Sequence, residues 1–210
     1  MPLDLEEQEQ VADLKAWWKE HGTRIVVAVC VAVVAFSGWT GWRRYEANQV
    51  GQASALYENA VRAAQGGDAK ALRDAGGALA ESYARTPYAA MAALVAARFY
   101  FERGDLKASQ AQLQWVIDRG QSDDLRSLAR LRLGAVLLDE KAYDQALALA
   151  EAPHPAAYDA QYAALKGDIL VAKNQRAEAK AAYQLALEKS GKEASAFRES
   201  VRTRLQALGG

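Results

Sequence analysis

Hydrophobic and polar positions follow two different rules along this chain. Residues 25–42 (IVVAVCVAVVAFSGWTGW) carry no charge at all, and Arg24, Arg43 and Arg44 close the run on either side. As an α-helix these 18 residues, rising about 1.5 Å each, span roughly 27 Å, close to the ~30 Å hydrocarbon thickness of a bilayer. A core strand would end far sooner. Valine favours strands in water, but a lone strand cannot satisfy its backbone in lipid and a helix can, so the pattern predicts a membrane-spanning helix. Ile25, Val34, Phe36, Trp39 and Trp42 are the candidate anchor residues. Trp39, Trp42 and Tyr45 are the amphipathic aromatics that settle at a headgroup boundary.

Two rival readings meet obstacles. Ala35-Phe36-Ser37 has the small residues a signal peptidase prefers, yet a signal's leader is short and positive. Residues 1–24 hold six acids (Asp4, Glu6, Glu7, Glu9, Asp13, Glu20) against three bases (Lys15, Lys19, Arg24). Cys30 could suggest lipoprotein acylation, but Val29 precedes it and the apolar run continues beyond it, so it reads as a small apolar side chain in the spanning helix. In the tail LEEQEQVADLKAWWKEHG, Leu5, Val11, Leu14 and Trp18 fall near one helical face. That face either docks a membrane partner or lies at the interface through Trp17 and Trp18. Ser37 and Gly41 form a small-xxx-small pair that would admit a second membrane helix.

After Tyr45 the alternation typical of strands is missing, and Ala, Leu, Glu, Lys, Arg and Gln dominate, which predicts an all-α domain. Breaks fall at Gly66-Gly67-Asp68, Thr86-Pro87, Arg103-Gly104-Asp105, 120–124, Asp139-Glu140-Lys141, Pro153-His154-Pro155, Lys173-Asn174-Gln175 and Gly191, leaving short helices joined by turns. Three windows align: Ala97, Gly134 and Gly167 coincide, then Tyr100, Leu137 and Leu170, then Leu106, Tyr143 and Arg176, then Ser109, Ala146 and Ala179. The spacing between the small residues is 37 and then 33. A small residue there lets the two helices of a hairpin approach closely.

This pattern resembles the tetratricopeptide repeat, a helix-turn-helix of about 34 residues that stacks into a right-handed superhelix. Gly134, Tyr143, Ala146 and Pro153 fit it, as do Gly167, Ala179, Tyr183 and Ala186. The first window is weaker, and the aromatic usual early in the first helix is absent from all three. The expected organisation is an acidic tail (1–24), a transmembrane helix (25–42) and a repeat domain (43–210). Within the domain come a divergent hairpin (46–85), repeats at 88–120, 125–152 and 157–190, and a polar-faced capping helix at 192–208.

Composition narrows the function. From Tyr45 onward 21 bases face 20 acids, too balanced for nucleic acid. The single cysteine lies in the apolar run, so the soluble part forms no disulfide of its own and cysteine usage does not choose a compartment. Lys15, Lys19 and Arg24 before the helix weakly favour a cytoplasmic N-terminus over the two arginines after it. His21 and His154 have no ligand spacing around them, no phosphate loop or nucleophile pattern occurs, and Asp123-Asp124 and Asp139-Glu140 read as turn or cap residues. No enzyme, metal or cofactor is expected.

Binding remains. By the register of the repeat family, the first helix of each hairpin lines the concave groove, which assigns Met91, Leu94, Arg98, Phe101, Glu102, Leu128, Leu131, Ala135, Leu138, Asp139, Gln161, Ala164, Asp168 and Val171 to it. Clustered Lys, Arg and Asn of the kind that grip a C-terminal carboxylate are not expected there. An apolar lining with scattered charges suits an extended, partly apolar polypeptide, although any one of these side chains could instead pack against the neighbouring hairpin.

Three further stretches, VADLKAWWKEHGTRIVVAV, GWTGWRRY and ASALYENAV, in this order and spacing, resemble the YfgM family, the tetratricopeptide-like ancillary subunits of the bacterial Sec translocon. The resemblance implies an inner-membrane protein with a periplasmic repeat domain. It also implies association with SecYEG and the membrane-anchored chaperone PpiD, and a chaperone-like role toward unfolded exported polypeptides. A scaffold for an envelope complex that touches no client, and a cleaved, freely periplasmic binding protein, stand as alternatives.

Overall fold

The computed structural model describes residues 5–191 and 194–209, with side-chain surroundings from Leu14 onward. Nine α-helices occur among the described residues: α1 (Leu5–Gly66), α2 (Ala69–Ser82), α3 (Pro87–Glu102), α4 (Leu106–Arg119), α5 (Asp123–Asp139), α6 (Tyr143–Ala150), α7 (Asp159–Ala172), α8 (Arg176–Lys189) and α9 (Ser195–Ala207), with a 3₁₀ turn at Ala156–Tyr158. No strand occurs among the described residues. The chain divides into two units, Met1–Gln49 and Val50–Gly210.

In the first unit the expected span lies wholly within α1, the one described helix long and apolar enough to cross a membrane, and none of its apolar window is buried by protein. Val34 (71%), Phe36 (63%), Trp39 (57%) and Trp42 (62%) are exposed, an apolar surface that calls for lipid or a protein partner to cover it. The Arg43 guanidinium sits 5.0 Å over the Trp39 ring. At the other end Trp17 stacks on His21. Of the expected amphipathic face, Leu5 and Val11 lie outside the described side chains, whereas Leu14 and Trp18 are exposed.

The second unit stacks four hairpins and a cap. The last turns of α1 pair with α2, α3 with α4, α5 with α6, α7 with α8, and α9 closes the row. The turns obey one backbone rule. Gly67 (φ 78°), Gly104 (φ 76°), Lys141 (φ 63°) and Asn174 (φ 62°) each occupy the left-handed region. In each turn the next N–H reaches back to a carbonyl five residues earlier: Asp68 to Ala63 (2.9 Å), Asp105 to Tyr100 (3.0 Å), Ala142 to Leu137 (2.8 Å) and Gln175 to Leu170 (2.8 Å). These bonds satisfy carbonyls that a helix end would otherwise leave orphaned. Asp68 and Asp105 then cap the next helix, their carboxylates accepting from the Ala71 and Ala108 N–H groups at 2.9 and 3.0 Å. Ala142 and Gln175 provide no side-chain cap.

Counting from the left-handed residue makes the four hairpins equivalent. Seven positions before it lie Ala60, Ala97, Gly134 and Gly167, all buried; five after it lie Leu72, Ser109, Ala146 and Ala179, none more than 1% exposed. The hairpin that the sequence alignment leaves unscored is therefore a regular member. Its divergence comes from Leu72, a large side chain where the others are small.

The small residues work as expected at Gly167 and differently at Gly134. A Cβ on Gly167 would meet the Tyr183 ring at 2.4 Å, within the same hairpin. A Cβ on Gly134 would meet Leu165 of the next hairpin's first helix at 2.7 Å, with the paired α6 backbone farther off. One further difference concerns Asp123 and Asp124. They sit in the first turn of α5, not in a loop, because the Ser122 hydroxyl accepts from the Leu125 N–H and starts the helix two residues earlier. Negative charge is favoured there by the helix dipole.

Candidate functional site

Curvature decides which face can hold a ligand. The first helices of successive hairpins touch, α3 with α5 and α5 with α7. The second helices α4 and α6 are held apart by an open cleft lined by Gln110, Gln114, Leu149 and Gln145. The side formed by first helices is the one that the repeat register assigns to the concave groove.

Two clefts open on this side, and they are built from equivalent positions. The cleft between α1 and α3 is lined by Val61, Ala64, Gln65, Val95, Arg98 and Glu102. The cleft between α3 and α5, about 230 Å³, is lined by Ala97, Arg98, Phe101, Arg132, Ala135 and Val136, with Ser109 and Leu113 of α4 behind them. Relative to the small residue at Ala60, Ala97 or Gly134, each cleft takes the positions one and four after it from one hairpin, and two before and one after from the next. At the third junction the position two before is Leu165, 7% exposed, packed into the space over Gly134. That junction is filled.

Among the groove positions read from the sequence, Arg98, Phe101, Glu102, Ala135, Asp139, Gln161 and Val171 are exposed, and Arg98, Phe101 and Ala135 meet at the α3–α5 cleft. Met91 is half-buried; Leu128, Leu131 and Leu138 are half-buried against the central core. Leu94 (6%) and Ala164 (4%) are buried outright. Asp168 is half-buried and committed elsewhere: it accepts from the Tyr183 hydroxyl at 2.7 Å and pairs with Arg204 of α9 at 2.7 Å. These bonds tie α7 to its partner helix and to the cap.

Arg132 escapes the sequence reading. Its register equivalents, Val95 and Leu165, are apolar, so nothing in the first-helix pattern marks the position; only the one-residue contrast within the aligned column could have found it. No hydrogen bond or ion pair to Arg132 occurs among the described residues, whereas Arg98 donates to Glu102 at 2.7 Å. Partial burial, and then the charge of Arg98, hold the Arg132 guanidinium below its usual pKa while leaving it a cation. The cleft thus combines an apolar floor, an aromatic edge at Phe101 and an unneutralised positive charge. It can hold an apolar side chain and orient an anionic group, but it offers no nucleophile or general base. No group of His, Cys, Asp and Glu suited to a metal occurs among the described residues.

A family model described as a tetratricopeptide repeat-like domain matches residues 15–210. A protein of Haemophilus influenzae named Ancillary SecYEG translocon subunit is 33% identical over 186 residues, 89% of this chain and 91% of its own. One of the same name from Neisseria gonorrhoeae is 32% identical over 209 residues, 99% of this chain and 100% of its own. Another, from Escherichia coli K12, is 29% identical across 85% of each chain.

Proposed function

Because this chain belongs to the tetratricopeptide-like ancillary SecYEG translocon subunits, we propose that it is a membrane-anchored adaptor that holds a partner or newly exported polypeptide in its concave groove. It is not an enzyme. The N-terminus lies in the cytoplasm and the repeat domain in the periplasm, with SecYEG, a PpiD-type membrane chaperone and unfolded exported chains as partners. The anchor raises the local concentration of a weakly binding groove where chains emerge. The observation that carries this reading is the open, apolar cleft between α3 and α5 on the inner face of a domain whose N-terminal helix is built for lipid.

Two measurements test it. Intact mass from membranes, with protease accessibility in spheroplasts, should give a full-length chain whose repeat domain is digested from outside; a protected domain would place the repeats in the cytosol. Photo-crosslinkers at Phe101, Leu131 and Leu138 should capture exported chains, and those at Gln114 and Ala148 on the opposite face should not. The reverse pattern would end the groove mechanism. A client-free scaffold draws support from the commitment of Leu94, Ala164 and Asp168 to packing and internal bonds. It predicts retained binding of the membrane chaperone with no crosslinks to exported chains.

A further inference from the structure

Resting on the groove reading above, we propose that the α3–α5 cleft is a subsite for an acidic side chain flanked by a bulky apolar one within an extended polypeptide. The carboxylate lies on Arg132 and the apolar group against Phe101.

The register argument comes first. At the position two before the small residue, Leu165 closes its own junction by packing over Gly134. Val95, the equivalent residue of the α1–α3 junction, lines an open cleft, so only the longer Leu165 fills its seam. Arg132 at the same position of the preceding repeat lines an open junction and sets a cation at its rim. Arg132 is exposed and has no counter-charge among the described residues, and a carboxylate arriving from outside would supply one.

Charge bookkeeping then selects the occupant. Arg98 and Arg132 both line the cleft, but Glu102 already takes the charge of Arg98 at 2.7 Å. Arg132 is the uncompensated centre, and a guanidinium fork matches the two oxygens of a carboxylate. Phe101, 41% exposed, with Ala97 and Ala135 beside it, provides the apolar wall for the neighbouring side chain. The acid is internal to the bound chain, not its terminus, because the groove does not end here. Arg98 also lines the α1–α3 cleft, whose Val61 and Val95 continue the apolar track past it.

The test uses the full-length protein in phosphatidylcholine nanodiscs and short fluorescein-labelled peptides carrying Leu-Leu-Glu, Leu-Leu-Gln or Ser-Ser-Glu in one neutral background, read by anisotropy. The Glu peptide should bind about tenfold more tightly than the Gln peptide, the worth of one charge-assisted pair. Arg132→Gln should abolish that ratio and Glu102→Gln should widen it. Phe101→Ala should abolish the preference for Leu over Ser. Arg132 makes no side-chain bond among the described residues, so its variant should fold, as circular dichroism should verify. Equal binding of the Glu and Gln peptides to the wild type would overturn the subsite while leaving the groove intact. Absence of binding by all three, together with silent groove crosslinkers, would overturn both.

Discussion

Gly167 leaves no room for a side chain: even a methyl group would stand 2.4 Å from the Tyr183 ring. Tyr183 cannot retreat, being 2% exposed and bonded through its hydroxyl to Asp168. Gly167→Ala should therefore destabilise the repeat domain by about 1–3 kcal/mol, the usual cost of overpacking, read as a lower urea midpoint. The same tyrosine predicts a pH response. Burial, and then the Asp168 hydrogen bond, raise its pKa above the ordinary 10.0. Between the unfolded and folded values the unfolded state binds fewer protons, so this contribution is complete below pH 10 and is lost as pH climbs toward the folded value. Stability of the wild type should fall more steeply above that pH than stability of Tyr183→Phe, and equal slopes in urea titrations would refute the assignment.

At the scale of elements, the turns carry the information. Asp105 caps α4 and should cost about 1 kcal/mol when replaced by alanine, whereas Ala142→Asp should contribute a similar amount at the start of α6, where no side-chain cap exists. Lys141 holds a left-handed backbone at φ 63°. Glycine there relieves about 1–2 kcal/mol of strain at a smaller entropic cost, so Lys141→Gly should raise the thermal midpoint. The all-helical class, the breaks at Gly67, Gly104 and Asn174, and the two clear hairpins with a weaker third were legible because Gly, Asn and Asp have local backbone chemistry that acts regardless of context. The first hairpin was not, since Leu72 obscures an alignment keyed to small side chains while the turn at Gly67 keeps the register. The lining of the α3–α5 cleft was legible only in part. Sequence periodicity distinguishes first-helix faces but not which junction is filled, and that depends on a contact between Leu165 and Gly134 across thirty-one positions. Arg98, Phe101 and Ala135, placed by register, line the α3–α5 cleft, whereas Arg132 was hidden by its apolar equivalents.

For the repeat domain as a whole, a row of hairpins is stabilised chiefly by contacts between neighbours. The seam between α5 and α7 is filled, with Leu165 seated over Gly134 and Ile169 fully buried, while the seam between α3 and α5 holds a cleft of about 230 Å³. Burial per junction is unequal, and so is local stability. Amides of α3 and α4 should exchange with deuterium sooner than those of α7 and α8, and a bound peptide should slow the former most. The filled junction then serves as the clamped end of a spring: whatever occupies the open seam tightens the soft half of the row against a rigid half, and occupancy would be felt as stiffness along the repeats.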